Sequence, residues 1–352
     1  MTAARAWLPR LPSRRAILLI VSAAAVTVLI LGLAVSARPV AQGWLIGFVI
    51  WSSVAIGSLV LLLVHRLTGG RWGDELAATL MPCSATLPLV TLAFVPLAFG
   101  LSAPYPWAGG TIELRPGLAQ LYLNQPAFLL RSLVAFIGWT ILAVLVVQGR
   151  CNRLSAAIGL AFHGFIISLV AVDWILSIEA SFGSSAFAAG FAIQQILAAL
   201  AFAAAVAPGS LSKLVRSDLA ALLMAALLGT VYIDLMSFVV SWYGDLPDKA
   251  AWYLRRGQDG WGWVILAAVI AGALVPIALL LSSKLRENRT ALRLTGVLVL
   301  LGVVLHVLWL MAPTFDVGSI AAAFAAVVAL TALSLAAADP ILTVTRSSTN
   351  GG

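Results

Sequence analysis

The sequence predicts an all-α polytopic membrane protein with about ten transmembrane helices. Of its 352 residues, 62% are hydrophobic and only 10% are charged, whereas soluble domains are about half apolar and a quarter charged. The apolar residues form uninterrupted runs of about 20 residues, the length that a helix needs to cross a bilayer. Period-two alternation is missing, which excludes a closed barrel and leaves helices as the backbone that satisfies its own hydrogen bonds in lipid.

The apolar runs predict ten helices, which we call spans 1 to 10 in chain order. They cover residues 16–37, 43–65, 77–101, 126–147, 155–175, 184–206, 219–243, 261–282, 292–311 and 317–337. Span 1 resembles a signal peptide, but it lacks a clean small-residue cleavage site and is long enough to cross the membrane. We predict a single membrane domain over 1–352, with cytoplasmic tails at 1–15 and 338–352.

The order of the spans also predicts how they pack. Spans 2 to 5 and spans 6 to 9 each form four antiparallel helices, so we predict two four-helix bundles with spans 1 and 10 as flanking helices. No internal repeat is visible in the sequence.

The basic residues predict the orientation of the chain. Sorted by alternate sides, 15 of the 21 lysines and arginines fall on one face and 6 on the other. The positive-inside rule therefore places both termini in the cytoplasm. We attribute the net charge of +8 to this topology and to anionic membrane lipid, and we expect no nucleic-acid binding.

The number and spacing of the cysteines indicate whether this chain could hold a redox centre. The two cysteines, Cys83 and Cys151, are too few for a disulfide framework, and no pattern for haem c or an iron–sulfur cluster is present. We therefore expect no metal site and no covalently bound cofactor, so that any redox centre comes from another subunit.

The segment Ser241 to Arg256 is the predicted docking surface. It combines aromatic rings, acids and an arginine pair between two spans, a composition typical of a membrane surface and unusual for a simple connector. Its candidate docking residues are Trp242, Tyr243, Asp245, Trp252, Tyr253, Arg255 and Arg256.

Asp234, His163 and His306 are ionisable residues in the interior of spans, where such groups usually face protein or water. Asp234 in span 7 either relays a proton, with Tyr232 and Ser237 extending a hydrogen-bonded path, or only bonds to a neighbouring helix. His163 in span 5 and His306 in span 9 are candidates for proton relay, quinol contact or haem b ligation. Satisfied packing residues are the alternative for both histidines.

Two further acids, Asp173 and Glu179, frame the turn from span 5 to span 6. Six positions separate them, so they would not face each other on one helix. Asp173 beside Trp174 is compatible with a protonatable site near the outer surface. It is equally compatible with a solvated acid next to a tryptophan of the membrane belt.

Five segments together resemble a known family. They are HRLTGGRWG at 65–73, YPWA at 105–108, DWILSIE at 173–179, SWYGDLPDKAAWYLRR at 241–256 and HVLWLMAP at 306–313. In this order, over about residues 43–313, they resemble the ActF-type membrane subunit of alternative complex III, an NrfD-like protein with ten helices.

The resemblance implies a subunit of a quinol-oxidising, cytochrome-reducing complex in the bacterial cytoplasmic (inner) membrane. It implies quinone contact or proton translocation, and as partners an NrfD-like paralogous membrane subunit and iron–sulfur and haem c subunits. The motif positions are Asp173, Glu179, Trp242, Tyr243, Trp252, Tyr253, Arg255 and His306. The chain departs from the family's pattern at Ala180, Ser181 and Phe182 and at Ser237 and Phe238, and it lacks the Asp-Tyr expected after the last histidine.

Two alternatives remain open. One is a membrane scaffold that lost its site and only anchors redox partners. The other is a stand-alone secondary transporter, but transporters often have Gly/Pro-broken spans in both halves, and Pro276 alone does not supply that pattern.

Overall fold

The chain is an all-helical, multi-pass membrane protein. The computed structural model describes residues 13–349 except 115, 208 and 245, and within them ten helical segments are long and apolar enough to cross a membrane. They are Arg15–Val35, Ala37–Thr68, Arg71–Phe99, Gln125–Val147, Arg153–Glu179, Phe187–Val206, Lys213–Tyr243, Trp261–Leu281, Arg289–Thr314 and Gly318–Ala337. These segments match the ten predicted spans one to one and keep their numbers below.

The structure describes only part of the two predicted tails, whose cytoplasmic location stays a prediction. Residues 1–12 of the N-terminal tail lie outside the described residues. The C-terminal tail was predicted from 338, where the apolar span Gly318–Ala337 ends, and the helix itself continues to Thr349. Alanines at 336, 337 and 338 favour helix strongly, so the helix continues where the hydropathy falls.

Polar caps explain where several spans begin. Asn152 and Ser155 form a reciprocal capping box at the start of span 5, and the Ser212 hydroxyl accepts from the amide of Val215 at the start of span 7. Such caps satisfy the free amides of a first helical turn. Span 7 therefore starts at Lys213, several residues before the apolar run that predicted it.

The helices pack as the two predicted bundles. Span 2 contacts spans 3, 4 and 5, and span 6 contacts spans 7 and 9, while span 8 packs on span 9. Span 2 is buried along almost its whole length, because it also packs on span 6 of the second bundle and on span 10. Spans 1 and 10 pack on each other and flank the bundles. The two-bundle prediction is confirmed.

Small residues allow the central helices to approach closely. Gly43 and Gly47 of span 2 face span 10, where an added Cβ would come 2.6 Å from the Cβ atoms of Ala322 and Ala326 respectively. This is the small-xxx-small contact that brings helix backbones together in membranes, where the hydrophobic effect does not drive helix association.

This contact gives a first prediction. We expect the double variant Gly43→Ala/Gly47→Ala to lose about 1–3 kcal/mol of stability, because overpacking forces the two helices apart. The measurement is unfolding of the protein in lipid nanodiscs. Gly164→Ala is the matched control, since a Cβ at Gly164 meets no atom within 4 Å. Equal stability of both variants would contradict the packing argument.

Span 8 is irregular in its middle. A π-helical segment, Ile270–Leu274, precedes Pro276, which has no amide hydrogen to donate to the preceding turn. Within that segment Gly272 lies against the Cα of Gly302 in span 9. π-helical segments occur frequently at functional sites, and this one lines a cavity in the second bundle.

The short connecting elements complete the fold. Beyond the spans, the described residues form helices at Pro116–Leu121, Pro247–Arg255 and Ser283–Glu287. Short 3₁₀ turns extend the ends of spans 5 and 9, at Leu176–Glu179 and Ala312–Thr314. We name the two ends of each span by the predicted orientation, so that Pro247–Arg255 lies at the outer end.

Candidate functional site

A cavity of about 470 Å³ lies among spans 6, 7, 8 and 9. Its walls are mainly apolar and aromatic. The aromatic side chains are Phe182, Phe187, Phe191, Phe238, Trp252, Tyr253 and Trp309. Volume and lining are typical of a site for a small organic molecule, in which a few polar groups fix the orientation of the ligand.

Asp234 and His306 place a carboxyl group and an imidazole side by side in the wall of this cavity. Oδ2 of Asp234 lies 3.6 Å from Nε2 of His306, and the two side chains are 47% and 19% exposed. The His306 ring lies nearly parallel to Trp309, with a centroid distance of 6.1 Å. The structure thus brings together two residues that were predicted separately, on spans 7 and 9. A carboxylate beside an imidazole can accept, hold and pass on a proton.

The helix Pro247–Arg255 covers the outer end of the cavity. Its buried residue Trp252 stacks on Phe182 at 4.2 Å and meets Trp309 edge-on at 5.6 Å. Pro247 at the first helical position starts the helix, because its fixed φ suits a first turn. At the other end, Asp259 and Gly260 both have positive φ, and they turn the chain sharply into span 8.

An ion pair fastens this covering helix to spans 5 and 9. Nη2 of Arg256 donates to Oε1 of Glu179 at 2.9 Å and to the Leu310 carbonyl at 3.0 Å. The Thr314 hydroxyl donates to the same Glu179 oxygen at 2.6 Å. The Arg256 guanidinium also lies 3.7 Å from the centre of the Trp252 ring, a cation–π contact. Glu179 is therefore a structural anchor rather than a free acid.

Two titratable groups of the covering segment are shifted by burial. Burial raises the pKa of Tyr253 to about 12, so its hydroxyl stays protonated at neutral pH and can donate a hydrogen bond. Burial lowers the pKa of Arg256, and the Glu179 carboxylate acts against that change. Arginine remains cationic in proteins, so Arg256 brings a positive charge to the cavity that it lines.

The docking prediction for Ser241 to Arg256 needs correction for two residues. Trp252 and Arg256 are 4% and 3% exposed, because they turn inward over the cavity, and neither can serve as a docking surface. Exposed side chains remain at Trp242, Tyr243 and Arg255. Tyr253 is partly buried beside Trp252, and Asp245 lies outside the described residues.

Asp173 belongs to the first bundle and is not solvated. It is fully buried, and Arg131 of span 4 forms a bidentate ion pair with it. Nε of Arg131 donates to Oδ2 of Asp173 at 2.6 Å, and Nη2 donates to Oδ1 at 2.9 Å. Nη2 of Arg131 also donates to the Tyr122 carbonyl, and the guanidinium lies 4.0 Å from the centre of the Tyr122 ring. Burial in this arrangement raises the pKa of Tyr122 to about 12.

The other two candidates lie away from the cavity. His163 is buried in the first bundle beside Trp139, and among the described residues neither ring nitrogen has a hydrogen-bond partner. Tyr232 is 64% exposed, on a face of span 7 that does not line the cavity, so it does not extend a path from Asp234. Ser237, the second proposed path residue, does line it.

Two residues of the ion-pair networks, Arg131 and Thr314, were not predicted from the sequence. Arg131 and Thr314 complete the two buried ion-pair networks, and Gln194 lines the cavity. Arg131 and Gln194 both carry a signal in the sequence, since each is a polar residue within an apolar span. No group of three or more histidine, cysteine or acidic side chains suited to a metal occurs in the described part of the chain. Comparison of the sequence with protein-family models and with curated proteins gives no significant match.

Proposed function

We propose that this chain is the integral membrane subunit of a quinol-oxidising respiratory complex of the alternative complex III type. In this proposal its cavity in the second bundle receives the quinol ring. One observation carries the proposal: an Asp–His pair lines an aromatic cavity at membrane depth. The five ordered motifs support it, and they also suggest a bacterial cytoplasmic membrane as the location.

The cavity offers the groups that the reaction needs on the protein side. Oxidation of a quinol to a quinone releases two protons and two electrons. A pair that begins as the Asp234 carboxylate and the neutral His306 imidazole can take up one proton at each group. The two electrons would pass to an acceptor held by a partner subunit, for which this proposal names an iron–sulfur or haem c centre.

The remaining lining residues orient the ring and exclude water. Stacked aromatic side chains provide faces for a flat ring, and Trp252 closes the cavity toward the outer surface. Three positions at which the chain departs from the family pattern, Phe182, Ser237 and Phe238, line this same cavity. With fewer polar groups at these positions, we assign the proton chemistry to Asp234 and His306.

Retention of native quinone tests this proposal. We expect the complex, purified from its native membrane into nanodiscs, to contain stoichiometric quinone together with haem c and iron–sulfur subunits. Leu274→Trp should fill the cavity that Leu274 lines and abolish quinone retention without loss of the partners. Leu228→Trp is the control, because Leu228 is an exposed residue of span 7 outside the lining set.

The outcomes separate the alternatives. Loss of quinone only in Leu274→Trp supports the proposal. Quinone retained equally in both variants would place it elsewhere and favour the scaffold role. A chain that purifies without partners and moves a solute across liposomes would favour a transporter.

A further inference from the structure

The second bundle is not closed evenly around its cavity. Among the described residues, span 7 packs against span 8 mainly through the inner part of span 8, Val275–Leu281, and the following helix Ser283–Glu287. The outer part of span 8, Trp261–Val269, packs instead on span 9. The outer halves of spans 7 and 8 therefore diverge and leave a cleft between them.

The residues along this cleft are both accessible and part of the cavity wall. Leu235 of span 7 is 52% exposed, and Val269 and Leu274 of span 8 are 41% and 55% exposed. All three line the cavity. Leu235 and Val269 each lie roughly 12 Å along the helix axis from the outer end of their span, at 1.5 Å per residue. The opening is thus bordered by apolar side chains at hydrocarbon depth.

The outer end of the same cavity is shut. Trp252 and Arg256 are almost fully buried, Trp252 stacks on Phe182, and Arg256 is held by Glu179. A ligand coming from the outer water would have to break these contacts. A ligand coming from the bilayer would pass between the exposed apolar side chains of Leu235, Val269 and Leu274.

We propose that the cavity is loaded sideways from the membrane, through the cleft between spans 7 and 8. The ligand is then an amphiphile with two distinct parts. Its polar ring reaches Asp234 and His306, and its hydrocarbon chain lies in the cleft bordered by Leu235, Val269 and Leu274. That the ring is a quinol rests on the proposed function, whereas the side entrance rests on the helix packing alone.

Thiol labelling tests the entrance without assuming which ligand binds. The complex would carry Cys83→Ala and Cys151→Ala, with Ser237→Cys as the reporter inside the cavity. In nanodiscs we expect a dodecyl maleimide to label the reporter and a sulfonated, water-soluble maleimide to leave it unlabelled. Adding Leu235→Trp should then reduce dodecyl maleimide labelling to the level of the cysteine-free protein.

A reporter outside the cavity controls for folding and for reagent partitioning. Leu228→Cys, on the exposed face of span 7, should be labelled by the dodecyl maleimide with or without Leu235→Trp. Labelling of Ser237→Cys by the sulfonated reagent as fast as by the dodecyl reagent would overturn the side entrance. Full labelling of Ser237→Cys by the dodecyl maleimide in the protein that also carries Leu235→Trp would overturn the side entrance as well.

Protection experiments separate this inference from the proposed function. A quinone with a decyl chain should protect Ser237→Cys from the dodecyl maleimide, and Leu228→Cys should remain reactive. The same quinone ring without its chain should protect more weakly, because it leaves the cleft empty. Labelling through the cleft without protection by either quinone would support the side entrance and contradict quinol as the ligand.

Discussion

Asp234→Asn is expected to lower quinol turnover of the intact assembly by about 10²–10⁴-fold, the usual contribution of a positioned general base. The amide keeps the shape of the carboxylate but cannot take up a proton, and it removes the negative charge that would stabilise protonated His306, 3.6 Å away. Turnover would be measured with a saturating quinol and the assembly's own cytochrome acceptor.

Asp218→Asn provides the control for this variant. Asp218 lies on the same helix, near its inner end, and does not line the cavity. It should leave turnover within about twofold, as expected for a site that does not contact substrate. Partner subunits should co-purify normally with both variants. Unchanged turnover in Asp234→Asn would remove this residue from the mechanism.

Arg131→Met is expected to destabilise the first bundle by about 3–5 kcal/mol, because it leaves the fully buried Asp173 carboxylate without its partner. The pair is bidentate, with contacts of 2.6 and 2.9 Å, so its loss exposes both oxygens to an apolar surrounding. Chemical unfolding in nanodiscs would measure the change, with tertiary signals from the buried Trp139 and Trp174 as reporters.

Two controls identify the cause of that loss. The double variant Arg131→Met/Asp173→Leu should recover most of the stability, since an apolar pair often replaces a buried ion pair without net cost. Arg38→Met breaks the ion pair with Asp316, whose side chains are 66% and 50% exposed, and should cost at most about 1 kcal/mol. Equal losses in Arg131→Met and Arg38→Met would contradict the assignment.

The sequence predicted the fold well because hydrophobic length dominates in a membrane. Runs of about 20 apolar residues have few alternatives to a spanning helix, and the count and order of spans agree with the structure. The ends of the spans agree less well with the prediction. Helix caps such as Ser212, and the break in span 3 at Ala85 and Thr86, depend on backbone hydrogen bonds, which hydropathy does not report.

The site could be predicted only as separate residues. Asp234 and His306 stand out as ionisable groups in spans, but they are 72 positions apart in sequence. The packing of spans 7 and 9 on span 6 and on each other brings them together. The prediction for Trp252 and Arg256 was wrong for a related reason. Aromatic and basic residues at a span end are typical of an exposed membrane belt and equally of a segment folded over a cavity.

The most direct test of this account is an electron cryo-microscopy map of the assembly, purified with its native lipids. We expect ring-shaped density in the cavity, within hydrogen-bond distance of Asp234 or His306, and a chain that leaves between Leu235 and Leu274. Quinone density confined to another subunit, with this cavity filled by side chains or by a phospholipid chain alone, would contradict the proposal.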